Sequence, residues 1–181
     1  MESVRLLLVD DENDFRRTVA KRLMKRGIDA QQAASGEECL DILKNEPVDV
    51  VVLDVKMPGM DGIETLHHIK KKYPEIEVIM LTGHATTQDG VDGIKTGAFD
   101  YLSKPIELEH LLSKVRQAHE KRIRSTEKQK EADFRAKMEQ QMIATERLAA
   151  LGTLAAGVAH EINNPLTIIR ESAGWMKSIL A

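Results

Sequence analysis

Four short apolar runs in the first 105 residues each end in a polar or charged side chain. The clearest is Val48–Leu53, which leads into Asp54 and then into a turn rich in Pro and Gly. Parallel strands of an open α/β sheet present their carboxyl ends at one edge, where loops form a crevice. The pattern therefore predicts an α/β fold in which these polar side chains converge: Asp10, Asp11, Asp54, Thr82 and Lys104.

Helical stretches alternate with these strands. Their apolar residues recur every three or four positions, which is typical of amphipathic helices that cover a sheet. Five strand and helix repeats imply a doubly wound parallel sheet with helices on both faces. The predicted helices are Asn13–Arg26, Gly36–Asn45, a third lined by Ile63, Leu66 and Ile69, a fourth over residues 86–96, and a fifth from Glu107.

Composition limits the classes of partner. The chain has 181 residues, a net charge of −3 and a pI near 6.1, which gives no electrostatic case for nucleic acid as its main partner. A single cysteine, Cys39, excludes an internal disulfide and fits a reducing cytosol. No apolar stretch approaches the ~18 residues that span a bilayer, and the N-terminus has no signal-peptide pattern. We expect a cytoplasmic chain without a membrane segment.

The composition changes after about residue 112. Neither Pro nor Gly occurs between Glu107 and Leu151, and charges of both signs are dense, so we predict one long helix. A stripe with coiled-coil spacing suggests a parallel homodimer, although a helix folded back on the first domain is the alternative. The stripe consists of Phe134, Met138, Gln141, Thr145 and Leu148. A three-residue step from Leu148 to Leu151 interrupts the heptad spacing, and the stripe then continues with Ala155, Val158 and Ile162.

The predicted carboxylate cluster needs a cation. Two carboxylates ~4 Å apart repel each other by roughly 4 kcal/mol at an effective dielectric constant of 20. A site with few ligands, all of them oxygen atoms, suits Mg²⁺. The ion would bridge Asp11, Asp54 and a phosphate oxygen, while Lys104 and Thr82 would contact two further phosphate oxygens.

Four sequence blocks carry a family resemblance. Leu7–Glu12, Asp54–Gly62, Leu81–His84 and Gly97–Pro105 closely resemble the signature blocks of the receiver domain of two-component response regulators. The resemblance covers residues 1–120 and implies a flavodoxin-like (βα)5 fold. It further implies that Asp54 accepts a phosphoryl group from the phosphohistidine of a donor kinase or phosphotransfer protein.

The same resemblance implies roles for individual residues. Asp11, Asp54 and the backbone carbonyl of Lys56 would bind Mg²⁺, and Asp10 would act mostly through water. Thr82 and Tyr101 would form a switch pair in which the hydroxyl moves to the phosphate and the ring follows. The receiver would itself accelerate the transfer, because positioning and charge neutralisation dominate phosphoryl-transfer catalysis.

A second signature occupies Leu148–Leu166. It resembles the phosphoacceptor box in the dimerisation hairpin of sensor histidine kinases. In that case the neutral imidazole of His160 is a nucleophile for a phosphoryl group, and Glu161 holds or takes the other ring proton. Asn164, four residues on, shares the helix face of His160 and would position water for the reverse, phosphatase reaction.

We therefore expect a receiver domain over residues 1–120, a helical linker over 121–147 and a first kinase hairpin helix over 148–181. The chain has no P-loop sequence, so an ATP-binding kinase domain is expected beyond Ala181, as in a hybrid histidine kinase. Alternatives are a stand-alone Asp/His phosphorelay carrier and a response regulator with a non-kinase, DNA-binding output. The C-terminal part of the sequence has no helix-turn-helix pattern, which argues against a DNA-binding output. The remaining histidines are expected at the surface: His67, His68, His84, His110 and His119.

Overall fold

Five parallel strands form one sheet with the order β2-β1-β3-β4-β5. The computed structural model describes residues 4–83 and 97–179, with side chains up to residue 151 and at Val158. The predicted doubly wound α/β fold is confirmed, whereas the predicted helix over 86–96 lies outside the described residues. The strands are β1 (Leu6–Val9), β2 (Ala30–Ala33), β3 (Val50–Asp54), β4 (Glu77–Thr82) and β5 (Asp100–Ser103).

Capping side chains mark the start of two helices, and a glycine follows the end of another. Ser35 accepts a hydrogen bond from the Glu38 amide, and Asp61 accepts one from the Glu64 amide, so each caps the helix that follows it. After the first helix, Gly27 has a φ of +81°, a conformation that favours glycine. The described helices are α1 (Asn13–Met24), α2 (Gly36–Asn45), α3 (Gly62–Lys72) and α4 (Leu108–Ile179).

The sheet is buried on both faces. Alternate strand residues point to opposite sides, so Val50 and Val52 join one apolar cluster while Val51 and Leu53 join the other. The first cluster includes residues of α1 and α4, and the second includes residues of α2 and α3. This arrangement explains why β1, β3 and β4 are mostly continuous apolar runs rather than alternating ones.

The chain divides into two compact units, residues 1–128 and 129–181. In the first unit, α4 packs against the sheet through its buried apolar residues: Leu111, Leu112, Val115 and Ala118. In the second unit, large apolar side chains of α4 are exposed along the predicted stripe, including Phe134, Met138 and Leu148. Within the described part of the chain, no helix is both long and apolar enough to cross a membrane.

Candidate acidic site at the carboxyl edge of the sheet

Asp54 is the last residue of β3, in the middle of the sheet. β3 lies between β1 and β4 in the sheet. The backbone amide of Val55, the residue after Asp54, donates a hydrogen bond to the carbonyl oxygen of Leu81 over 2.8 Å. Asp54 is only 5% exposed, although a turn follows it directly. The strand therefore holds a nearly buried carboxylate at the edge where ligands reach open α/β sheets.

Two further carboxylates come from the end of β1, the strand beside β3. One oxygen atom from each of Asp10, Asp11 and Asp54 lies within 4.8 Å of the others. Asp10 is buried and accepts a hydrogen bond from the Glu12 amide over 2.9 Å, whereas Asp11 is exposed. The expected convergence of these three acids is present in the structure.

Lys104 supplies the positive charge of the site. Its Nζ atom lies 2.6 Å from Asp10 Oδ2, 3.1 Å from Asp54 Oδ1 and 3.8 Å from Glu12 Oε1. The same ammonium lies 4.4 Å from the ring centroid of Phe15 in α1, within the range of a cation–π contact. Because the Lys104 side chain is only 15% exposed, its charge is held near the acids and is not free in solvent.

These contacts shift two ionisation equilibria. Burial raises the pKa of Asp54 above its usual value, Lys104 opposes this effect, and the nearby Asp10 and Asp11 reinforce it. Burial alone would lower the pKa of Lys104, but its contacts with Asp10 and Asp54 outweigh burial and raise it. The lysine is therefore held in its charged form, while the carboxylate of Asp54 is disfavoured as long as no second cation offsets the other acids.

The donor set fits a small divalent cation. Among the described residues, Asp10 Oδ2 is buried without a well-directed hydrogen bond, and Lys104 is its close charged neighbour. Asp11 and Asp54 present further oxygen atoms within reach of one ion. Lys56, whose backbone carbonyl is the expected fourth ligand, lies two residues after β3. Oxygen atoms in this number suit Mg²⁺, which keeps several of its waters.

The expected switch residues occupy the ends of the neighbouring strands. Thr82 is buried at the end of β4, and its carbonyl oxygen accepts a hydrogen bond from the Lys104 amide over 2.7 Å. Tyr101, in β5, is partly buried and packs with the apolar cluster on the α2 and α3 side. The backbone of His160, Glu161 and Asn164 lies within α4, and their side chains are outside the described part of the structure.

Sequence reasoning missed three residues that shape the site. Phe15 stacks on Lys104, and the guanidinium group of Arg16 donates to the backbone carbonyl of Asp10. At Gly62 a Cβ atom would lie 2.0 Å from the carbonyl oxygen of Asp54, so only glycine lets α3 begin so close to β3. The Pro/Gly turn signalled Gly62, whereas nothing in the pattern of α1 distinguishes Phe15.

Comparisons with known proteins agree with this geometry. The family model of the response regulator receiver domain matches residues 6–116. A Rickettsia bellii protein described as an NtrX-like response regulator is 39% identical over 122 residues, which cover 66% of this chain and 26% of that protein. Response regulator MprA of a Mycobacterium species is 37% identical over 113 residues, which cover 62% of this chain and 49% of that protein. The chain thus spans about a quarter to a half of the length of these curated relatives.

Solved structures give the same result. The receiver domain of the Francisella response regulator 1452 superposes with a TM-score of 0.63 at 29% identity, covering 66% of this chain and 98% of that one. The matched family region contains all five strands, the acidic cluster and Lys104. This chain therefore belongs to the family of response regulator receiver domains, of which residues 6–116 form a member.

Proposed function

We propose that the receiver domain takes a phosphoryl group on Asp54 from a phosphohistidine donor and so controls a dimeric histidine kinase region that bears His160. The observation that carries the first part is the position of Asp54. It is nearly buried at the end of the central strand, beside two other acids and 3.1 Å from Lys104. Membership of the receiver family implies a phosphodonor such as a histidine kinase.

The transfer needs a nucleophile and a way to spread negative charge. A carboxylate oxygen of Asp54 attacks phosphorus, so a P–O bond forms as the P–N bond to the donor imidazole breaks. The imidazole nitrogen keeps the electron pair and takes a proton from solvent. Lys104 contacts Asp54 before transfer and would move with a phosphoryl oxygen afterwards, while the Thr82 hydroxyl approaches another oxygen.

Receiver domains generally bind Mg²⁺ at an acidic site, and the cluster here has the ligands for it. Asp11, Asp54 and the Lys56 carbonyl would hold the ion directly, and Asp10 would hold it through water. When bound, Mg²⁺ would neutralise charge on the acids and on the incoming phosphoryl group. Asp10 would also keep Lys104 in place, because their charged atoms lie 2.6 Å apart.

Labelling with a small phosphodonor tests the assignment. We expect acetyl phosphate to add one phosphoryl group to the full chain only when Mg²⁺ is present, and we expect Asp54→Asn to abolish the addition. Intact-mass measurement reports both effects. Asp14→Asn, which removes an exposed carboxylate from α1, is the matched control and should be labelled like the wild type. Undiminished labelling of Asp54→Asn would overturn the assignment.

The output part of the proposal depends on α4 and on the Leu148–Leu166 sequence, because the matched family region ends at residue 116. α4 runs from Leu108, next to the site strands, to Ile179, and so includes the backbone of His160. A shift at the start of such a helix would change the packing near His160, since packed interfaces switch between discrete arrangements. An ATP-binding domain, supplied by the same or another chain, would phosphorylate His160.

Dimerisation is supported by the exposed stripe. Phe134, Met138 and Leu148 are large apolar side chains left exposed on an otherwise charged helix, and a second copy of the helix would bury them. We expect Met138→Glu with Leu148→Glu to convert a dimer into a monomer in light scattering at tens of micromolar. Ile143→Glu, on the opposite side of the helix, is the matched control and should remain dimeric. A monomeric wild-type chain would contradict the proposal.

Spin labels test the connection between the two units. Lys137 is exposed on α4 and is not one of the stripe residues, so a label there reports the distance between the two helices of a dimer. We expect the distance distribution to change when a phosphoryl mimic such as beryllofluoride is added with Mg²⁺. Identical distributions with and without the mimic would mean that the receiver signals through another surface.

A further inference from the structure

Two acids that the phosphoacceptor site does not use lie at the opposite, amino edge of the sheet. Asp49 directly precedes β3 and is 3% exposed, and Glu77 begins β4 and is 5% exposed. The amide of Glu77 donates to the carbonyl oxygen of Asp49 over 3.3 Å, so the two backbones are adjacent. A buried carboxylate is unfavourable unless cationic groups compensate its charge. The cationic partners of Asp49 and Glu77 therefore show which segments these acids hold together.

Asp49 draws its partners from both ends of the receiver domain. Arg5, before β1, donates to it from its backbone amide over 2.9 Å and from its guanidinium group over 3.0 Å and 2.5 Å. Arg122 of α4 lies 2.6 Å from Asp49 Oδ1, an oxygen atom that it shares with the guanidinium group of Arg5. His119, one turn earlier, is 3.8 Å away and only 15% exposed, so the expectation that it is an ordinary surface histidine was wrong.

Glu77 binds the same turn of α4. Lys121 Nζ lies 2.9 Å and 3.0 Å from its two carboxylate oxygens, and Lys70 of α3 lies 3.7 Å away. Lys121 also sits 5.4 Å from the ring centroid of Phe99, just before β5. Residues at the amino ends of β3, β4 and β5 therefore contact a single helical turn, residues 119–122.

Apolar packing does not account for the attachment of this turn. Among the described side chains of α4, no apolar residue beyond Ala118 is buried, and the single apolar residue of the segment 119–128, Ile123, is partly exposed. Ion pairs hold the turn where the apolar contacts stop. Pairs of this kind weaken when one charge is removed, whereas apolar contacts do not depend on charge.

We propose that Asp49 and Glu77 form an ionic clamp that holds residues 119–122 of α4 on the amino edge of the sheet. The clamp, and not apolar burial, decides whether α4 remains attached to the receiver domain beyond Ala118. Asp49 and Asp54 lie at the two ends of the same strand, so the clamp ties the helix to the strand that carries the phosphoacceptor. The signalling role of the clamp rests on the proposed function, but the attachment itself does not.

Hydrogen exchange on the full chain, without any phosphodonor, tests the attachment. We expect Lys121→Met combined with Arg122→Met to speed exchange of the amides of residues 119–126 at least about tenfold, while β1, β3 and β4 exchange as in the wild type. Lys121 is 55% exposed, and Asp49 keeps its hydrogen bonds from Arg5 when Arg122, which is 19% exposed, is replaced, so both substitutions are compatible with folding.

Two controls separate the clamp from general destabilisation. Lys121→Arg keeps the charge and should exchange as the wild type does. Lys114→Met breaks an ion pair of 2.6 Å between α4 and Asp100 outside the clamp, and should leave residues 119–126 protected. Unchanged exchange in the double variant, or an equal loss of protection throughout the sheet, would overturn the proposal.

A second experiment separates the role of the clamp in signalling from the phosphorylation of Asp54. In the double variant, acetyl phosphate should still label the chain to the wild-type level, while the spin-label response at Lys137 should be lost. A retained response would mean that the clamp does not carry the signal. Absence of labelling in both the wild type and the variant would refute the proposed function and leave the exchange result, and so the attachment, standing.

Discussion

Lys104 Nζ lies 3.1 Å from Asp54 Oδ1, although Asp54 ends β3 and Lys104 follows β5, and these two strands are not neighbours in the sheet. β4 lies between them, so the lysine must reach across the end of β4. The backbone amide of Lys104 donates to the carbonyl oxygen of Thr82 over 2.7 Å. This hydrogen bond fixes the backbone of Lys104 beside the end of β4, from where its side chain reaches Asp54. The resulting charge pair spans three strands and places the ammonium where a phosphoryl oxygen would arrive.

Removing this ammonium should slow phosphorylation. We expect Lys104→Met to reduce the rate of labelling by acetyl phosphate by about 100-fold, because the loss of one aligned donor at a transferring group typically costs 10²–10³ in rate. Lys71→Met, which removes an exposed lysine from α3, should label at the wild-type rate. Time courses of intact mass give both rates. Equal rates for the two variants would exclude Lys104 from the transfer.

Mg²⁺ should stabilise the receiver domain. A ligand present at 100 times its dissociation constant adds about 2.7 kcal/mol to the free energy of unfolding. We therefore expect a rise in Tm of several degrees on adding Mg²⁺ to the wild type. Asp11→Asn should remove most of this rise and, because one carboxylate of the cluster is gone, should raise the Tm measured without Mg²⁺. A full Mg²⁺ response in this variant would place the ion elsewhere.

Gly62 should tolerate no side chain. A Cβ atom there would meet the Asp54 carbonyl oxygen at 2.0 Å and the Val55 Cα atom at 2.8 Å, so the start of α3 must move away from β3. We expect Gly62→Ala to lower the free energy of unfolding by about 1–3 kcal/mol in urea titrations. At Gly83, where a Cβ atom meets nothing within 4 Å, the same substitution should change stability by at most about 0.5 kcal/mol.

Asp49 should contribute to acid unfolding. Burial alone would raise the pKa of Asp49, but the hydrogen bonds from Arg5 and the charge of Arg122 outweigh it, so the pKa in the folded state lies below its usual value. The stabilisation from Asp49 is then complete above about pH 3.9, the unfolded value, and is lost as the pH falls through the lower folded value.

Urea midpoints measured against pH report this contribution. Asp49→Asn should lower stability near neutral pH by about 1–3 kcal/mol, because the uncharged amide cannot form the charge-assisted hydrogen bonds with Arg5 and with Arg122, which is 19% exposed. The same variant should show a shallower decline below about pH 4 than the wild type. Asp29→Asn, which removes an exposed carboxylate before β2, should retain the wild-type slope. Parallel slopes for all three chains would contradict the role given to Asp49.

The sheet and the acidic cluster could be predicted from the sequence because both depend on local patterns. The central strands β1, β3 and β4 are short, mostly apolar runs, and the position of Asp54 at the end of such a run is enough to place it at the carboxyl edge. The order of the strands in the sheet goes beyond these local patterns, because the crossover rules limit the possible orders without selecting one.

Contacts between distant segments could not be predicted in this way. Asp49 is an aspartate inside an apolar run, and its partners Arg5 and Arg122 come from opposite ends of the receiver domain. Phe15 is one apolar residue among several on α1, and its contact with Lys104 depends on how the helix is rotated against the sheet. Such pairings are set by tertiary packing, which no local periodicity encodes.

Chemical mapping of the phosphorylated residue tests the central claim most directly. The full chain is treated with acetyl phosphate and Mg²⁺ and then reduced with borohydride, which converts an aspartyl phosphate into homoserine, and the peptides are sequenced by tandem mass spectrometry. We predict homoserine at residue 54 in the sample with Mg²⁺ and none in the sample without it. Homoserine at Asp10 or Asp11 in place of Asp54, or equal conversion without Mg²⁺, would contradict the account.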